Sequence, residues 1–209
     1  MGELRESKKR ETRQRISDVA TALFYARGFE AVTVDQIAAE ANVSKVTVFN
    51  YFPRKEDLMF DREQELKQLL QQALRQRPTA QSQATAQLQA QVDALRGLVE
   101  QLRQQNHPFA RIDSQTAGFL RVVAASPSLK ARLREIGDEA ADILAVELAG
   151  PEPDGRARLL AGMVVLTWRT AYAEAIRAFE GGASAKKANA TFISLIDYGF
   201  TAIRGVAKR

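Results

Sequence analysis

RQRISDVATALFYARGFEAVTVDQIAAEANVSKVTVFNYFPRKEDL, residues 13–58, is the stretch that decides the fold. Ile16, Val19, Ala20 and Leu23 recur at i, i+3, i+4 and i+7, the apolar stripe of an amphipathic helix. Arg27-Gly28 should stop that helix, because glycine takes the left-handed conformation just past a helix end. Thr33 and Gln36 form a T-x-x-Q capping box ahead of Ile37-Ala38-Ala39. Asn42-Val43 is a short turn, and asparagine tolerates positive φ better than most residues. Ser44 is the next N-cap, before a short helix over Val46 to Tyr51. Pro53 closes that helix and opens a fourth, from about Arg54 to about Arg75.

Outward from this stretch the periodicity stays helical. Residues 64–105 hold thirteen glutamines, yet Leu88, Val92, Leu95, Val99 and Leu102 fall on one helical face. Glutamine is a good helix former, so the tract reads as polar surface on two helices with a break at Arg77-Pro78-Thr79. Phe109, Ile112, Thr116, Phe119 and Val123 line a further helix that ends before Ser126-Pro127. Leu129, Leu133, Ile136, Ala140, Ile143 and Leu144 line the next, which ends at Gly150-Pro151. Leu160 to Phe179 is apolar over a wide arc and ends at Gly181-Gly182. Phe192, Ile196, Phe200 and Ile203 mark the last helix. The expected fold is all-α with about nine helices, divided into a small domain over 1–58 and a larger one over 59–209.

Composition narrows the function. The chain of 209 residues has no cysteine and one histidine, His107. Disulfides, thiolate nucleophiles and cysteine zinc sites are excluded, as are multi-histidine metal sites. His107, before Pro108, reads as a loop residue. No metal or cofactor is expected. There is no phosphate-cradling glycine loop and no nucleophile–base pair at recognisable spacing, so an enzyme is the weakest reading. Asp138, Glu139 and Asp142 look like a solvated face. The net charge of +5 permits a polyanionic partner without requiring one. Residues 1–15 are charged rather than apolar, and the run Leu160 to Leu166 is too short to span a bilayer, so a cytoplasmic location is expected.

The stretch 33–51 has helix-turn-helix spacing. In that arrangement the second helix enters the DNA major groove while the first crosses the backbone. The second helix displays Lys45, Thr47, Asn50 and Tyr51 beside apolar Val46, Val48 and Phe49. With its arginine-rich start, A-x-x-L-F-x-x-x-G-F and then T-x-x-x-I-A-x-x-A-x-V-S-x-x-T-x-F-x-Y-F-x-x-K-E-x-L, the sequence from Arg13 to Leu58 resembles the N-terminal domain of TetR-family transcriptional regulators. It departs from the family pattern at three places. Asn42 stands where a turn glycine is usual, Val46 where a small residue often opens the recognition helix, and Phe49 where tyrosine is frequent.

Chemistry and the matching positions assign roles. Lys45 is suited to guanine O6/N7, and Asn50 to a base edge or a phosphate. Val46 and Phe49 offer apolar contact to thymine methyls. Thr33 and Thr47 are either phosphate ligands or caps. Tyr51 is expected to bond phosphate through its hydroxyl. Lys55, in the first turn of the fourth helix, is expected to contact the backbone as the family's matching lysine does. Phe24 and Phe52 read as core. Lys8, Lys9, Arg10, Arg13 and Arg15 either follow phosphates or form a solvated tail. Residues 1–60 carry ten Lys/Arg against nine Asp/Glu, so any positive potential there is a local patch.

The resemblance implies that the larger domain binds a ligand and forms a homodimer. A two-fold dimer would read the two halves of a palindromic operator in double-stranded DNA. The last two helices, about 155–181 and 184–206, are the interface expected by analogy. Phe109, Phe119, Trp168, Arg169 and Tyr172 are the pocket candidates, with Trp168 and Tyr172 sharing one helical face. Arg169 interrupts an apolar stretch and, if buried, needs an anionic ligand or an internal carboxylate such as Asp142 or Glu139. The expected activity is repression relieved by an unidentified small molecule, the fourth helix carrying the signal by its tilt. The alternative is a DNA-binding regulator that answers a protein partner instead.

Overall fold

The computed structural model describes residues 2–75 and 84–208; the break expected at Arg77-Pro78-Thr79 lies outside the described residues. Among the described residues there are nine α-helices and no strand. They are α1 (Gly2–Arg27), α2 (Val34–Glu40), α3 (Lys45–Tyr51), α4 (Glu63–Arg75), α5 (Ala84–Gln104), α6 (Ser114–Ala125), α7 (Pro127–Ala149), α8 (Gly155–Glu180) and α9 (Ala185–Ala207). Short 3₁₀ turns occupy Glu56–Leu58 and Pro108–Ala110.

Local chemistry sets most of the boundaries. Gly28 takes φ +81° past the end of α1, and Gly150 and Gly182 are likewise positive. Asp154 and Ser184 cap α8 and α9 by accepting from the amides of Ala157 and Lys187. Each such cap satisfies an amide that the helix itself leaves open.

Three boundaries differ from the sequence reading. First, the basic segment is no tail, since α1 is helical from Gly2 and carries Lys8 to Arg15 within it. Second, the fourth helix starts at Glu63, not at Arg54. Pro53 ends α3 as expected, but the chain then makes the 3₁₀ turn, with Arg54 N–H donating to Asp57 Oδ2. Lys55 therefore precedes that turn instead of standing in a helix. Third, Phe109 and Ile112 lie before α6, because Pro108 sits in the first turn of a separate 3₁₀ element capped by His107.

The described residues pack as two compact units. One holds the chain up to Glu63 together with Gly118–Leu133; the other holds Gln64–Ala117 and Arg134–Arg209. The core of the first is built from Ile16, Ala20, Phe24, Ile37, Ala38, Val48, Phe52 and Leu58, all buried. Burying one such phenylalanine contributes about 1.5–3 kcal/mol. Phe24 and Phe29 pack at 4.9 Å, and Phe60 meets Phe119 edge-on at 5.8 Å.

In the second unit α8 lies along α9, and α5 also packs on α9. Ala188, Phe192, Ile196, Phe200, Ile203 and Ala207 form the buried stripe of α9. They face Leu160, Ala161, Val164, Ala171 and Ala175 of α8, mostly small residues that allow close approach. Gly199 marks the tightest point. A Cβ there would lie 2.2 Å from Thr167 Cγ2. Arg96 bonds Asp197 at 2.6 Å, and Arg204 pairs with Asp93, across α5 and α9.

Candidate nucleic-acid interface

The α2–turn–α3 element is held from within by its own polar groups. Thr33 Oγ1 accepts from Gln36 N–H at 3.2 Å, while Thr33 N–H donates to Gln36 Oε1 at 2.9 Å. Asn42 makes the turn at φ +52°. Ser44 Oγ accepts from Thr47 N–H at 3.0 Å and bonds Thr47 Oγ1 at 2.8 Å. Val48 is 1% exposed and anchors α3 on Ile37, Ala38 and Ala41, which are also buried. One anchor on a seven-residue helix leaves most of its circumference outside.

That outer face carries the residues singled out in the sequence. Lys45, Val46, Phe49 and Asn50 are exposed, at helical spacing i, i+1, i+4 and i+5. Val46 is 68% and Phe49 41% exposed, large values for apolar side chains. Thr47 and Tyr51 are half-buried at the edge of this face. Thr33 is exposed, and its hydroxyl, used as an acceptor by the cap, keeps its proton to donate. Lys45 Nζ is paired with Asp35 Oδ2 of α2 at 2.8 Å, a partner that sequence reading missed. The two residues stand ten apart, on different helices, and no local spacing joins them.

Lys55 is placed differently from its neighbours. Its Nζ donates to Phe29 O at 2.6 Å and lies 4.1 Å from the centre of the Phe29 ring. Burial pushes this ammonium below the usual lysine range, against the opposing pull of Glu30 and Glu56. Arg13, from the basic segment, is also committed to the fold. Its Nη2 donates to Asp61 O at 2.8 Å, and its guanidinium stacks 4.6 Å over the Phe52 ring. Lys8, Lys9, Arg10 and Arg15 remain exposed on α1. Phe24 and Phe52 are both buried core, as expected.

Residues 118–133 supply contacts within the same unit that the sequence did not reveal. Ser126 Oγ donates to Glu30 Oε1 at 2.5 Å. Arg132 is buried; its Nε bonds Asp57 Oδ1 at 3.0 Å and its Nη2 bonds Glu63. These pairs join residues 69 to 96 positions apart.

The pocket candidates are divided between the units, Phe119 in the first and Phe109, Trp168, Arg169 and Tyr172 in the second. Phe119 packs on Phe60 in the first unit. Trp168 and Tyr172 stand edge-on to Phe192 at 6.1 and 5.9 Å. Phe109 meets the His107 ring at 4.8 Å. Tyr172 Oη lies 3.0 Å from Pro108 O and 3.3 Å from Arg111 O, so its one proton is shared between two acceptors. Arg169 is exposed, so it needs no internal partner. Glu139 instead holds Lys67 at 2.6 Å, and Asp142 lies 3.7 Å from Arg158. His107 is the N-cap of its turn. Its Nδ1 accepts from Phe109 N–H at 3.2 Å, which leaves Nε2 to face Glu65 Oε1 at 3.2 Å. Two surface clefts of about 390 and 430 Å³ are present; neither is lined by any of the five candidates.

Comparison with known proteins agrees with this architecture. Residues 16–61 match the family of bacterial regulatory proteins designated tetR. The chain is 29% identical over 150 residues to the HTH-type transcriptional regulator TcmR of Streptomyces glaucescens, covering 71% of this chain and 64% of that protein. It is 42% identical over 50 residues to YvkB of Bacillus subtilis, an uncharacterized HTH-type transcriptional regulator, covering 24% and 26% respectively. The chain thus spans less than two thirds of the length of these relatives. In structure it resembles NalD of Pseudomonas aeruginosa, the secondary repressor of the MexAB-OprM multidrug efflux pump. The TM-score is 0.54 at 15% identity, over 93% of this chain and 96% of NalD, which shows a shared fold.

Proposed function

We propose that this chain is a sequence-specific DNA-binding transcriptional regulator of the TetR family of bacterial regulatory proteins, to which its residues 16–61 are matched. The observation that carries the reading is the outer face of α3. Lys45, Val46, Phe49 and Asn50 stand together in solvent on a helix fixed from behind by Val48. Such a face suits the major groove, where cation, carboxamide and apolar contacts each discriminate base pairs. Thr33 and Tyr51 are assigned to phosphate, and Thr47 to capping with Ser44. For Lys55 the bond to Phe29 O favours a structural role over the phosphate contact expected from the resemblance.

The proposed regulator is a homodimer on a palindromic operator, acting in the cytoplasm as a repressor released by a small molecule. Support for the dimer comes from apolar side chains left in solvent on the last two helices. Leu159 and Leu166 on α8 are 56% and 52% exposed, and Tyr198 on α9 is 77% exposed. No described helix is long and apolar enough to cross a membrane, so these residues do not face lipid as part of a helical span. Release requires the small molecule to favour one conformation over the other. The chain passes between the two units within α4, α6 and α7, so the proposed signal has three covalent routes, not one.

The edge-on packing of Trp168 and Tyr172 on Phe192 favours a second reading for the larger unit, in which no ligand sits among those rings and a protein partner supplies the signal. The deciding experiment selects bound duplexes from a random pool at near-physiological salt, with a Lys45→Ala/Asn50→Ala variant in parallel. A palindrome enriched by the parent and lost in the variant is the expected result. Salt-sensitive binding with no enriched sequence would overturn the assignment.

A further inference from the structure

The larger of the two clefts, about 430 Å³, opens between the end of α5, the loop before α6 and the first turns of α9. Cationic Arg103, Arg111 and Lys186 line it, with the carboxamides of Asn106 and Asn189 and the apolar side chain of Ile193. No acidic residue is in the lining. We propose that this cleft binds a small organic anion, its carboxylate held by Lys186, Asn106 and the arginines and its apolar body resting on Ile193.

Charge is the first argument. Arg103 is already held by Glu100, through Nε at 2.9 Å and Nη2 at 2.5 Å. Arg111 Nε lies 2.6 Å from Asp113 Oδ2. Two acids thus offset two arginines. Lys186, exposed, has no carboxylate partner among the described residues and leaves one positive charge over at the rim. Lys186 also sits in the first turn of α9, a helix of 23 residues. The backbone dipole adds partial positive charge at that end.

Unsatisfied donors are the second argument. The Nε–H of Arg111 is buried beside Asp113 Oδ2 and makes no aligned hydrogen bond, while the rest of the side chain, 23% exposed, lines the cleft. The Asn106 carboxamide, exposed at the cleft, makes no hydrogen bond among the described residues, at a backbone position with φ +54°.

The third argument is that the cleft is already built. Asn189 accepts from Ile112 N–H at 3.0 Å and donates to Ile112 O at 2.8 Å, pinning the loop to α9. Tyr172 bonds the same loop at Pro108 O and Arg111 O. A rigid wall with open donors loses little freedom on binding. The volume is within the range of small-molecule sites. Binding at this cleft is independent of the DNA-binding reading; a regulatory consequence of it rests on that reading.

The test titrates the full chain, without DNA, with 1-naphthoate and with neutral 1-naphthylmethanol, following the arginine Nε–Hε signals by NMR. Saturable movement of the Arg111 signal with naphthoate and none with the alcohol is expected. Lys186→Ala, at an exposed position, should weaken binding about tenfold, the order of one hydrogen bond to a charged group. Equal binding of acid and alcohol, no effect of Lys186→Ala, or no saturable movement up to the solubility limit would each overturn the proposal. A protein that binds naphthoate but enriches no operator would keep this site and lose the regulator.

Discussion

Lys45 Nζ stands 2.8 Å from Oδ2 of Asp35, so the cation at the front of α3 is held by a carboxylate of the preceding helix. Both side chains are more than half exposed, and an exposed pair of this kind contributes little to stability. Its effect falls on binding instead. In the proposed complex Lys45 would exchange Asp35 for a base, and Asp35 would bring negative charge toward the phosphates.

Asp35→Asn should therefore tighten operator binding by about three- to tenfold at low salt, with the gain shrinking as salt rises. Fluorescence anisotropy on a labelled operator at two salt concentrations measures this. Unchanged affinity at both would remove Asp35 from the account of recognition.

Under the proposed reading, Val46 and Phe49 would give the operator a second signature. Replacing the thymines of the selected half-site with deoxyuridine deletes only their methyl groups. Each methyl contacted should be worth about 0.8 kcal/mol, or roughly fourfold in affinity. Val46→Ala should abolish the difference at its own thymine and leave the others. Equal affinity for the thymine and uracil duplexes would mean that the apolar face does not read methyls.

Arg132 is buried between Asp57 and Glu63, so its removal takes the shared guanidinium from two carboxylates. Arg132→Met should lower stability by about 3–5 kcal/mol. Replacing all three as Arg132→Met, Asp57→Asn and Glu63→Gln should recover much of that loss. Urea unfolding of the single and triple variants distinguishes an ion cluster from ordinary packing, for which the triple variant would be no better than the single.

Gly199→Ala should cost about 1–3 kcal/mol, since the added carbon meets Thr167 at both its Cγ2 and its Cβ. A rotamer change alone does not clear it. Thr167→Ala in the same chain should restore part of the loss. Chemical denaturation reads both, and an unchanged midpoint for the single variant would contradict this packing of α8 on α9.

The elements governed by local chemistry were legible in the sequence. The Thr33–Gln36 box, the Ser44 cap, the positive φ of Asn42 and the stop at Gly28 each depend on residues within a few positions. The placement of Lys45, Val46, Phe49 and Asn50 on one short helix followed from the same short-range pattern. What depends on distant partners was not legible. Lys55 has its carbonyl acceptor 26 residues upstream, and Arg132 its carboxylates 75 and 69 residues away. Arg169 was misjudged for another reason. A long apolar helix still keeps a solvent stripe, and here Arg158, Leu159, Leu166, Arg169 and Thr170 form it. The residues just after Pro53 and Pro108 also read as first turns of helices, where the chain makes 3₁₀ turns.

The bonds from Ser126 and Arg132 make the first unit discontinuous along the chain. A chimera that borrows only the first sixty-three residues inherits Glu30, Asp57 and Glu63 without the hydroxyl and guanidinium that answer them. Grafting the proposed recognition helix of this chain with its unit intact has to carry the segment 118–133 along, or redesign the acids it leaves behind.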